Sequence, residues 1–281
     1  MKQLFIFSIL ICSFCLSCNK NVEKISTQNT LYNNLDGYYD GKKLSASMER
    51  YLEQWGQTEP SQNEFYTSFS YYPLKGLEYE EGVSRRDPST IIKKKDTYYV
   101  YYTRSSKTVA PVGYKKATKT VPANTWDLCD IYYATSKDGI NWEEQAVSVS
   151  RGPEGSFDDR SVFTPDILCY KGKYYLYYQA VSYPYTERSK NVIGMSWSES
   201  PEGPWHRFDT PVLKPGKSGK FIESSNKRAH IESYGDFDSH KVHDPNLIVR
   251  NSEIWMYYKA HPMGVGSEHP MPKGVGLKKP Y

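Results

Sequence analysis

The stretch Arg86-Asp87-Pro88-Ser89-Thr90-Ile91-Ile92, followed closely by Thr97-Tyr98-Tyr99-Val100-Tyr101-Tyr102-Thr103, decides the fold, because the chain writes it three times. The first copy continues through Asp130-Ile-Tyr-Tyr-Ala-Thr-Ser136 to a Lys137-Asp138-Gly139 turn and Trp142. The second runs Phe163-Thr164-Pro165-Asp166-Ile-Leu, Lys173-Tyr-Tyr-Leu-Tyr-Tyr178, Asn191-Val-Ile-Gly-Met-Ser-Trp197 and Ser200-Pro-Glu-Gly-Pro-Trp205. The third begins His243-Asp244-Pro-Asn-Leu-Ile-Val, then Glu253-Ile-Trp-Met-Tyr-Tyr258 and Lys273-Gly-Val-Gly-Leu277. Taking Asp87, Asp166 and Asp244 as markers, the spacings are 79 (166−87) and 78 (244−166), a regularity that marks tandem structural units.

Each copy holds about four short runs rich in Tyr, Ile and Val between Gly, Pro and Asp turns, the pattern of a four-stranded antiparallel sheet. Four-stranded sheets in tandem are propeller blades, so the fold class is all-β, a β-propeller. The turns at Asp138-Gly139 and Glu202-Gly203 fall in the same slot, between the third and fourth strands. Adjacent tyrosines point to opposite faces of a strand, so one set fills one inter-blade layer and the other set the next. From Asp87 to Tyr281 there are 195 residues (281−87+1), about 2.5 repeats. Ordinary propellers have at least four blades, so the arithmetic predicts a C-terminally truncated piece of a longer protein, with a partial propeller over residues 59–281.

The 281 residues carry 36 Lys and Arg against 32 Asp and Glu, a net charge of +4, too small to suggest a nucleic-acid partner. Tyr 26, Phe 10 and Trp 6 argue for a folded chain rather than a disordered one. At the N-terminus, Lys2 and the apolar run Leu4 to Leu16 read as a secretory signal over residues 1–18. The Leu16-Ser17-Cys18 ending resembles a bacterial lipobox with Cys18 as the lipidated residue, which predicts export across the inner membrane and a membrane attachment through lipid alone, in the periplasm or at the outer membrane. A polar tether occupies 19–34. Leu44, Met48, Tyr51, Leu52 and Trp55 recur at helical spacing before Gly56 and predict one amphipathic helix within 35–58. The remaining cysteines, Cys129 and Cys169, sit beside strand-like runs and read as small buried apolar residues, with a single bridge between them as the alternative.

In a propeller the start of each innermost strand faces the central axis. Asp87, Asp166 and Asp244 would then arrive in one acidic pocket beside Arg86, Arg160, Thr164 and His243. A glycosidase needs such a set: one carboxylate to activate water, another to tune its partner or hold a hydroxyl, and an acid to protonate the leaving oxygen. The His240-Lys-Val-His243-Asp244 run would also suit a metal, but strand-end histidines more often meet sugar or solvent, so neither metal nor cofactor is expected.

Ser84-Arg-Arg86-Asp87-Pro-Ser, Phe157-Asp-Asp-Arg160-Ser-Val-Phe-Thr164-Pro165, Tyr174-Tyr-Leu-Tyr-Tyr-Gln179 and Val242-His243-Asp244-Pro together resemble glycoside hydrolase family 117, the α-1,3-L-neoagarooligosaccharide hydrolases, from about residue 35 to the end. The resemblance implies a five-bladed propeller that releases 3,6-anhydro-L-galactose from the non-reducing end of neoagaro-oligosaccharides with inversion. It implies Asp87 as general base, Asp244 as an assisting carboxylate, and Trp126, Arg160, Thr164, Asp166, Gln179 and His243 as sugar contacts. Trp126 would stack on a sugar ring or pack on its own blade. The family's general acid, a His followed by Glu on a later blade, falls beyond Tyr281. Ser45-Ala46-Ser47-Met48-Glu49-Arg50 departs at Ser47 from the family's Ser-x-Ala-x-x-Arg helix and still implies a dimer exchanging residues 35–58. The other readings are a propeller glycosidase of arabinan or xylan type, and a lipid-anchored propeller that only binds glycans.

Overall fold

The computed structural model describes residues 74–106 and 109–264, and the backbone of Tyr38–Tyr39, Lys42–Lys43 and Gly274–Lys278. The chain divides into two units, Met1–Tyr71 and Tyr72–Tyr281. In the first, β1 (Tyr38–Tyr39) pairs antiparallel with β2 (Lys42–Lys43). The signal segment, Cys18, the tether and the helix over 44–56 lie outside the described residues.

The second unit is built of sheets. Strands β3 (Val83–Arg86) and β4 (Ile92–Lys94) both pair with β5 (Thr97–Ser106), followed outward by β6 (Asp130–Ser136) and β7 (Trp142–Val149). The second sheet is a four-stranded meander of β8 (Ser161–Tyr170), β9 (Lys173–Val181), β10 (Val192–Ser198) and β11 (His206–Arg207). A hairpin of β12 (Ser218–Phe221) and β13 (Ile231–Gly235) follows, which the repeat did not predict. The third sheet is β14 (Lys241–Arg250), β15 (Glu253–His261) and β16 (Gly274–Lys278). No helix occurs among the described residues.

Alternation along the strands divides the core into layers. Tyr99 and Tyr101 join Ile131, Val162, Leu176 and Tyr178 between the first and second sheets. Val100 and Tyr102 face the other way, onto Trp142. Ile193, Val242, Met256 and Tyr258 fill the layer between the second and third sheets. Tyr101 and Tyr178 are fully buried, and cutting back such a ring to alanine costs about 3–5 kcal/mol. Their hydroxyls are satisfied, Tyr101 donating to Pro201 O at 2.6 Å and Tyr178 to the buried Asp158 Oδ2 at 3.2 Å. Tyr258 repeats the second arrangement with Asp238 at 3.1 Å. At Gly194 a Cβ would lie 2.6 Å from the Tyr178 ring, so this strand position requires glycine. Cys129 is buried as expected, but Cys169 is exposed, because it falls near the outer end of β8, beyond Ile167 on the same face. Cys169 is a free thiol.

Candidate active site

The innermost strand of each sheet breaks at one kind of residue. Asp87, Thr164 and Asp244 have φ of 50°, 45° and 50°, and each is followed by proline, Pro88, Pro165 or Pro245. Proline offers no N–H to the ladder, and in β8 and β14 the register slips there, between Phe163 and Asp166 and between His243 and Asn246. A positive φ on a non-glycine residue is uncommon, and on a β-branched threonine it is an outlier. Such strain gathers at functional sites. Thr164 is held in it from two sides, its N–H donating to Thr103 Oγ1 at 2.8 Å and its hydroxyl to Gln179 Oε1 at 2.9 Å.

This geometry corrects the sequence register. Thr164, not Asp166, matches Asp87 and Asp244, and the true offsets are 77 (164−87) and 80 (244−164). Asp166 sits two residues deeper and is 3% exposed. Its Oδ1 accepts the N–H of Thr90 at 3.1 Å and its Oδ2 the N–H of Leu247 at 2.8 Å. Asp166 thus ties the first and third inner strands to the second, three residues below Asp87 and Asp244, and is placed as a strut rather than as a sugar contact.

Arg160 is corrected in the same way. It is 2% exposed and grips fully buried Asp127 through Nε and Nη2, each at 2.5 Å. Nη1 donates to Thr118 O at 2.6 Å and Nη2 to Val121 O at 3.2 Å. Four of its five N–H donors anchor the long loop between β5 and β6. An open depression beside it, lined by Lys119, Arg151, Glu154, Asp159 and Tyr183, belongs to this anchor and not to the carboxylates.

The anchored loop delivers Trp126 to Asp87. The indole Nε1 donates to Asp87 Oδ2 at 3.2 Å, while the Arg86 guanidinium lies over the ring at 4.5 Å and 3.9 Å from the same carboxylate oxygen. Trp126 is 42% exposed, so one part of the ring serves the carboxylate and the rest faces outward. Asp244 is set differently. His243 Nδ1 lies 3.3 Å from its Oδ1 and Lys259 Nζ donates to its Oδ2 at 3.1 Å. Burial alone would raise its pKa, but His243 and the Lys259 charge outweigh that and hold it at about 2. Gln179 is buried behind Thr164, and His243 is buried with its ring edge-on to His261 at 4.7 Å.

Lys259 and His261 escaped the sequence reading. A signal for Lys259 existed: Thr103, Gln179 and Lys259 each follow a Tyr-Tyr pair, and they pair in the ladders with Arg86, Phe163 and His243, the residues just before the strained turns. No group of three or more metal-ligating side chains occurs among the described residues.

The family model for glycosyl hydrolases family 43 matches residues 82–264. Among solved structures, Zg3597, a family 117 glycoside hydrolase produced by the marine bacterium Zobellia galactanivorans, is 38% identical with a TM-score of 0.60, over 76% of this chain and 58% of that one. A structure described as a glycoside hydrolase is 14% identical with a TM-score of 0.52, over 84% of this chain and 62% of that one, a likeness of fold alone. The chain spans less than two thirds of the length of either. A comparison with curated proteins returns no match.

Proposed function

From the premise that this chain belongs to glycosyl hydrolases family 43, we propose that the protein is an exo-acting, inverting hydrolase of the family 117 kind, removing terminal α-1,3-linked 3,6-anhydro-L-galactose from neoagaro-oligosaccharides. The observation that carries it is the pair of strained Asp-Pro turns, which present Asp87 and Asp244 from two inner strands that Asp166 laces together. Asp87 acts as general base. Its carboxylate takes the proton of a water whose oxygen attacks the anomeric carbon, while the glycosidic bond breaks and the leaving oxygen takes a proton from a general acid. Inversion requires base and acid roughly 6.5 to 9.5 Å apart, room for that water.

Asp244 cannot be that acid, since a carboxyl held at about 2 is ionised at neutral pH. It serves as an assisting anion, facing the positive charge that develops on the sugar ring. The general acid is the His preceding Glu that the family resemblance places on a later blade. Trp126 has two duties in this reading, ordering Asp87 and offering its exposed face to a sugar; Thr164, Gln179 and His243 complete the sugar contacts. The protein is further proposed to be lipid-anchored through Cys18 and to dimerise through residues 35–58.

The family 43 match also supports a second reading, a glycosidase of arabinan or xylan type; the Arg-Arg-Asp-Pro-Ser string and the 38% identity to a family 117 enzyme favour the first. The test is release of 3,6-anhydro-L-galactose from neoagarobiose by the full-length protein and its Asp87→Ala variant. Release that disappears in the variant supports the proposal, and no release by the folded wild type overturns it.

A further inference from the structure

The third sheet carries a polar patch of which the proposed hydrolysis uses only His243, as a sugar contact, and Lys259, as a partner of Asp244. In the β14–β15 ladder Lys241 pairs with His261 and His243 with Lys259. Directly paired residues, and residues two apart, share one face of a sheet, so the four side chains form a two-by-two block. Val242 and Ala260 between them are fully buried in the layer against the second sheet, which puts the block on the opposite face.

The block is cationic and under-partnered. Among the described residues the carboxylate that pairs with it is Asp244, already taken by His243 and Lys259. Lys241 is half-buried and its ammonium has neither ion pair nor hydrogen bond among the described residues, while burial and the Arg228 and Lys259 charges lower its pKa to about 8. The Nε2 atoms of His243 and His261 are both buried without a partner. Buried polar atoms of this kind are normally satisfied, and each exception calls for an explanation. The fold does not demand the block, because the matching positions of the second sheet, 80 residues earlier, are Ser161, Phe163, Gln179 and Val181, none of them charged.

We infer that this block recognises an acidic substituent, a carboxylate or a sulfate ester, on an oligosaccharide bound beside Asp244. An anion there accepts from Lys241 Nζ and from His261 Nε2–H, and it lies against the ring edge of His243. The inference rests on the glycosidase reading for its ligand class, but its test does not use hydrolysis.

The protein, with its histidine rings labelled with nitrogen-15, is titrated with galacturonate, with galactose 6-sulfate and with neutral galactose, and the His243 and His261 ring resonances are followed. At least one acidic sugar is expected to move both Nε2 resonances while galactose does not, and the tighter of the two identifies carboxylate or sulfate as the group read. Lys241→Met is expected to weaken that binding by about tenfold or more, the loss of one charge-assisted hydrogen bond, and Lys241→Arg to retain it. Equal shifts with galactose, unchanged binding in Lys241→Met, or no shift with either acidic sugar overturns the inference. Failure of neoagarobiose hydrolysis with this binding intact would count against the catalytic reading alone.

Discussion

The second sheet and its two neighbours share one backbone device and use it differently. At Asp87 and Asp244 the positive-φ residue before proline is a part-exposed carboxylate, whereas at Thr164 it is a hydroxyl, and the carboxylate lies two residues on, buried at Asp166. The exposed pair is open to solvent; the buried one meets two backbone N–H groups. Moving an acid by two positions along one strand turns a part-exposed carboxylate into a brace. Arg160 makes the same point from the loop side, for its charge is consumed by Asp127.

If that contrast is right, substitutions in the two regions should separate into activity losses and stability losses. The largest effect is expected at Asp87: Asp87→Ala lowers kcat by about a thousandfold, within the span typical of a general base, with an unchanged melting temperature. A drop in melting temperature without loss of turnover would place Asp87 among the braces. Arg160→Met leaves the buried Asp127 charge alone and costs about 3 kcal/mol of stability, read from denaturant unfolding. Its residual folded fraction should keep the substrate KM within a few-fold, which a direct sugar contact would not allow.

Asp166→Asn is next. It puts an amide NH2 against a backbone N–H and forfeits one charge-assisted bond, for about 2 kcal/mol, with kcat little changed in the protein that remains folded. The smallest effect concerns the Asp244 partners. Its folded pKa of about 2 lies below the ordinary carboxylate value, so its contribution to stability is present above about pH 4 and fades as pH falls toward 2. Lys259→Met should move the Asp244 titration upward, seen by carbon-13 NMR of the carboxyl, and narrow that window. An unmoved titration would leave His243 as the sole cause of the depression.

Much of this fold is legible in the sequence. The Tyr-Tyr runs, the Asp-Gly and Glu-Gly turns and the triple repeat announce antiparallel sheets in series, because strand alternation and turn chemistry are local. Trp126, Thr164 and Gln179, which the family resemblance implies as sugar contacts, lie at or beside the strained turns, and only the structure shows the indole bonded to Asp87. The register failed at Asp166. Counting from aspartate to aspartate gave near-equal spacings, yet the signal that mattered was the proline, which falls after Asp87, Thr164 and Asp244 alike. Proline fixes where the ladder must break, and an acid does not.

Sequence by itself determined the strand pattern, the repeat and the residue types available near the axis, since these follow from periodicity and from what proline and glycine do to their own backbone. Tertiary structure alone decided which acids stay exposed and which are consumed, because an ionised side chain's role depends on the partners and the solvent it meets. Those come from residues distant in sequence, 76 and 81 positions for Thr90 and Leu247 on Asp166, 33 for Asp127 on Arg160 and 15 for Lys259 on Asp244.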